Sequence, residues 1–284
     1  STKSIISVPN KESDDTHPVF SNDNKLVAFI SDEGDERDTN WTQTIQIFNI
    51  DSRSITKVTK KFGGLFSLTW ADDDTELLVI GTSDTKYGER RNSSLYSINL
   101  NDSKTINLNK HEVAFNPQSN LIYSSPFTVS YTSKGVSFLA NIDSIKGTVD
   151  VLYGENSKII QISSSKTAQD IIFTENSRNN HERICIYKKD SENIEVLYSP
   201  NDQFFEINIP SRMEKFEINR SNYQIESRLY LPDNIDKSKV YPVIVDIHGG
   251  PHGRFEDQIA VNQEIFTSNN YIVLAVNPRG SSSY

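Results

Sequence analysis

The sequence predicts a mainly β protein in which repeated units of four short strands precede a single β-α-β unit. The first observation is a pattern of strand-like runs that occurs twice, with Phe20 and Trp70 at equivalent positions 50 residues apart. The second is a pair of apolar runs, residues 243–247 and 272–276, that flank a stretch with helical spacing. Four short strands joined by tight turns make one propeller blade, and blades repeat every ~40–50 residues. The sequence therefore predicts propeller blades followed by the beginning of a parallel sheet.

The first two units carry the repeat most clearly. In each, a turn rich in Asp or Asn precedes an apolar run, and further strand-like runs follow, of which residues 44–50 alternate strictly. Asn and Asp favour turns because their side chains bond the local backbone, and alternation is typical of a half-buried strand. The predicted strands are 26–31, 44–50 and 55–58 in the first unit, and 65–70, 76–80, 94–100 and 104–108 in the second.

Two further units are less regular. Their predicted strands are 127–132, 136–142 and 148–153 in the third unit, and 158–163, 170–174, 183–188 and 194–198 in the fourth. At this spacing, residues 1–210 hold about four blades, and nearly all of residues 1–205 should be β structure. A β-sandwich also consists of short strands, but it would not repeat the same four-strand pattern.

The chain after residue 210 changes its pattern. Residues 215–219 and 224–231 predict an antiparallel hairpin, and a polar loop follows. Residues 243–247 are short, apolar and β-branched, which suits a strand buried on both faces of a parallel sheet. Residues 272–276 have the same character. Asp246 lies inside the first of these strands and would need a partner there if it is ionised.

A helix is predicted between these two apolar runs. Phe255, Ile259 and Phe266 fall at positions i, i+4 and i+11, which share one face of a helix over residues 256–268. Strand, helix and strand then form a β-α-β unit, whose crossover should be right-handed. We expect helix to be concentrated in this part of the chain.

Composition excludes several classes of partner. The net charge is −9 and the sequence contains no basic run, which argues against binding of nucleic acid. No apolar run approaches the ~18 residues that a membrane span needs. The few histidines show no metal-ligand spacing. We therefore predict no cofactor, no metal, no nucleic acid and no membrane.

Cys185 is the only cysteine and lies within an apolar run. It cannot form an intrachain disulfide, and no Cys-His context surrounds it, so we interpret it as a small core residue and not as a nucleophile. A single cysteine favours a reducing compartment, and we expect a cytoplasmic protein.

The candidate site follows directly on the first apolar run, at His248, Gly249 and Gly250. Glycine can adopt a positive φ and lets backbone N–H groups face outward without a side chain in the way. Such N–H groups at the carboxyl end of a parallel strand can hold a developing oxyanion. The alternative is a tight turn that needs glycine only for its backbone conformation.

Two motifs give this segment a family resemblance. His248-Gly249-Gly250-Pro251-His252 precedes Asn277-Pro278-Arg279-Gly280-Ser281 by 25 positions, counted from His252 to Asn277. The pair resembles the start of the α/β-hydrolase domain of the prolyl oligopeptidase family, in the branch of the acylaminoacyl peptidases and dipeptidyl aminopeptidases. The first two units resemble TolB-type propeller repeats, although the second keeps only Trp70-Ala71-Asp72 of that pattern.

The resemblance implies an overall organisation. Residues 1–210 would be β-propeller blades, and residues 211–284 would be the N-terminal part of an α/β-hydrolase domain. The activity would be that of a serine peptidase on short, acylated or aminoacyl peptides, with the propeller limiting access to the site. The peptide would be the partner of the full-length protein, and an oligomer is compatible with this organisation. Loops 32–38 and 84–91 could line an entrance, but such loops are more often plain solvated blade loops, and we assign no substrate contacts to them.

The same resemblance implies roles for single residues. Gly250 would supply a backbone N–H to an oxyanion hole, and Gly249 would support the turn. His248 stands where some branches carry a donor tyrosine, and its ring would pack and fix the turn without acting as a base. His252 is either a residue of the pocket rim or an exposed loop histidine. Arg279 would tie the loop after its strand by hydrogen bonds.

The catalytic triad of a serine hydrolase is missing from these residues. Its nucleophile needs a Gly-x-Ser-x-Gly turn, with a carboxylate and a base later in the chain. No such turn occurs, since Gly280 is followed by three serines and no second glycine. The family usually has about seven or eight blades, within the range known for propellers. We therefore expect a truncated piece that ends before the catalytic serine and is inactive by itself.

Two other functions remain open at this point. A propeller could serve as a protein-interaction module, with the hydrolase segment vestigial. An esterase or lipase could also use a Gly-Gly oxyanion loop, but the repeated units before residue 210 count against that interpretation. A Gly-x-Ser-x-Gly downstream of Tyr284 would favour the peptidase over the interaction module.

Overall fold

The computed structural model describes most of the chain. The described residues are 5, 7–8, 12–34, 39, 42–88, 91–109, 114–115, 121–122, 127–143, 148–154, 157–164, 170–179, 181–250 and 252–283. The chain folds into two compact units, the first formed by Ser1–Val129 with Ala140–Asp150 and the second by Ser130–Leu139 with Val151–Tyr284. Of the helices in the described part of the chain, none is long and apolar enough to cross a membrane.

The first two predicted blades form as four-stranded antiparallel sheets in the first unit. Their strands pair in chain order. The first sheet contains β1 (Ser13–Phe20), β2 (Leu26–Glu33), β3 (Thr44–Asn49) and β4 (Ile55–Lys57), and the second contains β5 (Gly64–Trp70), β6 (Glu76–Thr82), β7 (Ser94–Asn99) and β8 (Thr105–Asn107).

Corresponding turns of the repeat contact each other between these two sheets. The Trp70 indole N–H donates to the Val19 carbonyl at 3.0 Å, and the Asn22 carboxamide donates to Asp74 Oδ1 at 2.8 Å and to the Ala71 carbonyl at 2.7 Å. Both sheets share one buried apolar cluster, to which Ala28, Ile30, Leu77 and Val79 contribute. The turn residues that mark the repeat in the sequence therefore also join one blade to the next.

Two more four-stranded antiparallel sheets follow in the chain. The third, in the order β12-β11-β10-β9, contains β9 (Ala114–Phe115), β10 (Phe127–Ser133), β11 (Val136–Ile142) and β12 (Val149–Tyr153). The fourth pairs in chain order and contains β13 (Ser157–Ser163), β14 (Ile171–Ser177), β15 (Arg183–Lys188) and β16 (Asn193–Tyr198). Cys185 is fully buried in β15, and its desolvation raises the pKa of the thiol to about 11. It is a small core residue, as predicted.

The last sheet mixes antiparallel and parallel pairing. Its strands are β17 (Arg212–Arg220), β18 (Tyr223–Leu231), β19 (Val243–Asp246) and β20 (Ile272–Asn277), in the order β17-β18-β20-β19. The predicted hairpin forms between β17 and β18 and turns between Arg220 and Tyr223. Strands β19 and β20 pair in parallel, and helix α2 (Val261–Ser268) lies between them in the chain. The β-α-β unit is therefore confirmed.

Three details differ from the sequence prediction. Strand β19 is an edge strand, and Val243 and Val245 are 57% and 56% exposed, so it is not buried on both faces. Helix α2 begins at Val261, and Ile259 is buried before the helix starts, so the apolar spacing of the sequence spans both a loop and a helix. A short helix, α1 (Asp202–Ile207), precedes residue 210 and was not predicted. Its residues are all at least partly exposed, and this leaves no apolar periodicity to detect.

Candidate active site

The two sequence motifs lie beyond the ends of the two parallel strands. His248, Gly249 and Gly250 follow β19, while Pro278 to Ser281 follow β20. Because both strands run in the same direction, their carboxyl ends meet at one edge of the sheet, where ligands of open α/β sheets bind. The fold thus brings together two segments that are far apart in the chain.

Gly250 has a backbone conformation that requires glycine. Its φ is +130°, and a Cβ at this position would lie 2.4 Å from Gly253 N and 2.7 Å from His252 N. Gly249 differs, because a Cβ there would meet nothing within 4 Å. The turn closes through Gly253 N–H, which donates to the Gly249 carbonyl at 3.0 Å. Gly253 was not singled out by sequence reasoning, although a Cβ there would lie 2.4 Å from Gly249 O.

The Gly250 N–H is available as a donor. Among the described residues, none accepts a hydrogen bond from it. A backbone N–H that points out of a fixed turn can donate to an oxygen that gains negative charge in a transition state. The role of this loop as an oxyanion donor stays a prediction, and Pro251 lies outside the described residues.

The His248 ring packs within the site. Its Nε2 lies 2.9 Å from Ser281 Oγ, its Nδ1 lies 3.1 Å from Gly249 O, and its ring meets the Phe255 ring edge-on with centroids 5.6 Å apart. Ser281 is 3% exposed, and its Oγ also lies 2.8 Å from the carbonyl of Pro278. A serine that is buried and bonded in this way is not presented to a substrate. The His248–Ser281 pair therefore joins two loops and does not form a nucleophile with its base.

His252 and Arg279 occupy the outer part of the same loops. His252 Nδ1 lies 2.9 Å from the Gly280 carbonyl, which is a second link between the motifs. The Arg279 guanidinium is exposed and lies 5.9 Å from the centre of the Tyr223 ring. Within the described part of the chain, this cation–π contact takes the place of the hydrogen bonds expected for Arg279. The sequence could not show this, because Tyr223 belongs to the distant hairpin.

Two side chains support the loop from behind. Asp246 finds the partner it needs in Gln263, whose Nε2 donates to its carboxylate. Asn277 uses its carboxamide on the backbone of Phe255, accepting from the Phe255 N–H at 2.7 Å and donating to the Phe255 carbonyl at 3.0 Å. Sequence reasoning assigned no separate role to Asn277. The only feature of the sequence that could have indicated a role for Asn277 was its position as the first residue of the second motif.

Buried charges continue from this loop toward the fourth sheet. Arg254 donates to Thr132 Oγ1 at 2.9 Å and to Glu256, and Glu256 also pairs with Lys158 Nζ at 2.7 Å. Since Lys158 lies on β13, these ion pairs connect the loop after Gly250 to the fourth sheet. In the sequence these residues are isolated charges with no distinguishing pattern.

A second group of charges joins the hairpin strands β17 and β18 to Asp257. Arg228 is fully buried and pairs with Asp257 at 3.1 Å and with Glu226. Asp257 also accepts a hydrogen bond from Lys215. Buried ions of this kind are tolerated when each has partners, and loss of one partner is costly.

A polar cavity of about 470 Å³ lies beside these charges. It is lined by charged and hydroxyl side chains from strands β12, β14, β15 and β17 and from nearby loops, among them Tyr153, Glu175, Arg178, Arg183, Lys215 and Asp257. Tyr153 donates to Glu175 Oε2 at 2.8 Å, and Arg183 pairs with the other carboxylate oxygen. Desolvation, reinforced by the Glu175 carboxylate, raises the pKa of Tyr153 to about 12.

Two expectations about loops fall partly outside the described residues. Of loops 32–38 and 84–91, residues 35–38 and 89–90 are not described. In the described part, Arg91 pairs with Asp84 at 3.0 Å and also lies over the Tyr87 ring. These contacts lie within loop 84–91 and stabilise its conformation.

Comparison with known proteins places this geometry in context. No family model matches the chain. "Probable dipeptidyl-peptidase 5" of Aspergillus flavus is 27% identical over 275 residues, which cover 94% of this chain and 31% of that protein. "Dipeptidyl-peptidase 5" of Schizosaccharomyces pombe is 41% identical over 64 residues, covering 22% of this chain and 9% of that protein. The chain thus spans about a third of the length of the Aspergillus flavus relative.

Solved structures share the fold. A Mycobacterium tuberculosis puromycin-hydrolyzing peptidase matches with a TM-score of 0.77 and 17% identity, over 98% of this chain and 44% of its own. Pyrococcus horikoshii acylaminoacyl peptidase matches with a TM-score of 0.52 and 15% identity, over 95% of this chain and 59% of its own.

These relatives and structural neighbours are peptidases of the prolyl oligopeptidase family, which confirms the resemblance that the two motifs indicated. The chain is a relative of these peptidases. Its four-stranded antiparallel sheets correspond to a β-propeller-like region in their N-terminal part.

Proposed function

We propose that this chain forms propeller blades and the oxyanion loop of a serine-type peptidase that hydrolyses short peptides. The names of the relatives favour peptidase chemistry, and dipeptidyl or acylaminoacyl substrates are the natural first candidates. Residues 211–284 would then be the opening part of an α/β-hydrolase domain, and residues 1–210 would belong to the propeller.

The single observation on which this proposal rests is the conformation of Gly250 together with its N–H, which has no acceptor among the described residues. The positive φ of Gly250 excludes other residue types, and Gly250 follows a parallel strand at the carboxyl edge of the sheet. Because Gly250 is exposed, its N–H can bond solvent or a ligand oxygen, which a donor for a developing oxyanion must be able to do.

The proposed role of this loop is to stabilise the negative charge that develops on the substrate's carbonyl oxygen. When a serine hydroxyl attacks the scissile carbonyl, the carbonyl oxygen becomes negatively charged in the tetrahedral intermediate. The Gly250 N–H would donate to that oxygen, and the residue after the nucleophile would supply the second donor. Serine, histidine and acid would all come from a longer protein, because no Gly-x-Ser-x-Gly turn occurs within residues 1–284.

Ion pairs from the fourth sheet and the residue after its strand β14 to the loop and helix between β19 and β20 support a role for the propeller in access. Lys158 of β13 pairs with Glu256, and Arg178 pairs with Glu264 of α2 at 3.1 Å. A blade held this close to the oxyanion loop could restrict the size of a substrate that approaches it. Small peptides would pass, and folded proteins would not.

The test uses the full product of the gene that encodes this chain. We expect it to release p-nitroaniline from dipeptidyl or acylaminoacyl p-nitroanilides, and a serine-directed phosphonate should abolish the activity. A pure protein without turnover on a panel of such substrates would contradict the proposal. Turnover that the phosphonate leaves unchanged would contradict its serine mechanism.

A further inference from the structure

We infer that Asn277 is a positioning residue, which fixes the loop that aims the Gly250 N–H. The inference rests on the proposed function, since it assigns Asn277 to the same oxyanion loop. Asn277 touches neither substrate nor nucleophile in this role. It acts through the backbone of Phe255.

The contacts of Asn277 form a two-point clamp. Its Oδ1 accepts from the Phe255 N–H at 2.7 Å, and its Nδ2 donates to the Phe255 carbonyl at 3.0 Å. The side chain therefore satisfies both backbone groups of one residue, as a neighbouring β-strand would. At 2% exposure, Asn277 is shielded from water that could compete for these bonds.

Asparagine is well suited to this position in the fold. Asn277 is the last residue of β20, where its own backbone is held in register with Glu226 of β18. A carboxamide is the shortest side chain that offers both a donor and an acceptor in one plane. An alanine there would offer neither, and an aspartate would offer only acceptors when ionised.

The clamp controls Gly250 because the loop is held at both ends by the same segment. On the upstream side, the His248 ring binds Ser281 at 2.9 Å. On the downstream side, Phe255 is held by Asn277, and its ring packs against His248. Gly250 lies between these two anchors, and further bonds join His252 and Gly253 to Gly280 and Ser282 of the same segment. Release of one anchor would let the turn move, and a donor that moves by a fraction of an ångström loses its alignment with the oxyanion.

The central variant is Asn277→Ala in the full gene product. We expect kcat to fall about 10–100-fold, less than the ~10²–10³-fold loss from deleting an oxyanion donor, since the donor is displaced and not removed. KM should change by less than about two-fold, because the donor acts mainly in the transition state. A peptide boronic acid, which mimics the tetrahedral intermediate, should lose affinity by the same factor as kcat.

Asn277→Asp gives a second readout that a merely structural role would not produce. Its carboxylate keeps the acceptor for the Phe255 N–H but loses the donor to the Phe255 carbonyl. Protonation restores that donor, so the ratio of variant to wild-type kcat should rise as the pH falls. A ratio that stays constant with pH would count against the clamp.

Asn141→Ala serves as the matched control. Asn141 is also a buried asparagine, and its side chain accepts from Thr128 Oγ1 at 2.8 Å in the third sheet. Its loss should lower thermal stability and leave kcat and boronate affinity unchanged. If Asn277→Ala behaves in the same way, Asn277 is only structural.

Hydrogen–deuterium exchange separates this inference from the proposed function. Amides of residues 249, 250 and 252–255 should exchange faster in Asn277→Ala than in wild type or Asn141→Ala, whether or not the protein is a peptidase. Faster exchange in a protein without activity would leave the clamp standing and refute the peptidase. Unchanged exchange, or unchanged kcat in an active protein, would overturn the assignment of Asn277.

Discussion

Gly250 and Gly249 are neighbours with different requirements. A Cβ at Gly250 would collide with backbone nitrogens of two residues, whereas one at Gly249 would enter open space. The family resemblance assigned them different roles, and their conformations now give a physical difference between them. The positive φ of Gly250 identifies it as the residue on which the turn depends.

Gly250→Ala tests the role of this turn. We expect kcat of the full gene product to fall about 10²–10³-fold, roughly 3–4 kcal/mol, because the added Cβ displaces the donor. KM should change little. Steady-state kinetics on a p-nitroanilide substrate measures both values.

Gly154→Ala is the control for backbone strain. Gly154 has a φ of +149°, and a Cβ there would lie 2.6 Å from Ser137 O, so the substitution is also strained but lies in another loop. It should reduce stability without changing kcat, and Gly249→Ala should cost far less kcat than Gly250→Ala. If Gly250→Ala folds normally and keeps near-full kcat, the loop is only a turn.

Tyr153 links stability to alkaline pH. Its folded pKa of about 12 exceeds the ordinary tyrosine value of 10.0, so the unfolded chain releases this proton first and stability falls as the pH rises through this interval. The difference of about two between the folded and ordinary pKa values of Tyr153 would correspond to about 2.7 kcal/mol in the free energy of unfolding. Partial exposure of the side chain should reduce this contribution to roughly 1–2 kcal/mol.

Tyr153→Phe should flatten that decline. Urea unfolding of both proteins between about pH 8 and pH 11.5 measures the slope. At neutral pH, the variant should lose about 1–3 kcal/mol, because the buried Glu175 oxygen loses its donor. Equal slopes for the two proteins would show that Tyr153 does not carry the alkaline effect.

The last sheet shows how far elements could be predicted. The hairpin, the parallel pair and the helix between its strands follow from alternation and from short apolar runs. The exposure of β19 could not be predicted in this way, because an apolar run shows the character of the side chains and not the number of neighbouring strands. The buried Arg228 of β18 gave no signal at all, since isolated charges usually lie on the surface.

Arg228→Met tests the energetics of these elements. The guanidinium is fully buried between Asp257 and Glu226, and its removal leaves carboxylates without their shared cation. We expect a loss of about 3–5 kcal/mol in the free energy of unfolding. Chemical denaturation followed by circular dichroism measures this loss.

Arg212→Met on β17 is the matched comparison. Arg212 pairs with Glu214 at 2.6 Å, but the side chains are 69% and 45% exposed. Surface pairs contribute about 0–1 kcal/mol, so this variant should stay close to wild type. Similar losses for both arginines would mean that burial does not set the cost.

At the scale of the whole molecule, the 284-residue chain by itself should hydrolyse no peptide or ester above background. The physical reason is the missing nucleophile turn: an oxyanion donor stabilises charge only after a nucleophile has attacked. The assay is release of p-nitroaniline from aminoacyl p-nitroanilides by the purified chain. Clear turnover that a serine-directed phosphonate blocks would refute this prediction.

The propeller-like strand units, the β-α-β unit and the resemblance to peptidases of the prolyl oligopeptidase family follow from sequence alone, because they depend on local periodicity, turn residues and two contiguous motifs. The tertiary structure decided how the motifs work together. His248 meets Ser281, Asn277 holds Phe255, and Arg228 is buried between carboxylates, in pairs that local pattern cannot reveal. Such pairs form because parallel strands end at one edge and a hairpin folds over distant charges. Their geometry depends on where the whole chain places each strand, and a sequence pattern records only the neighbours along the chain.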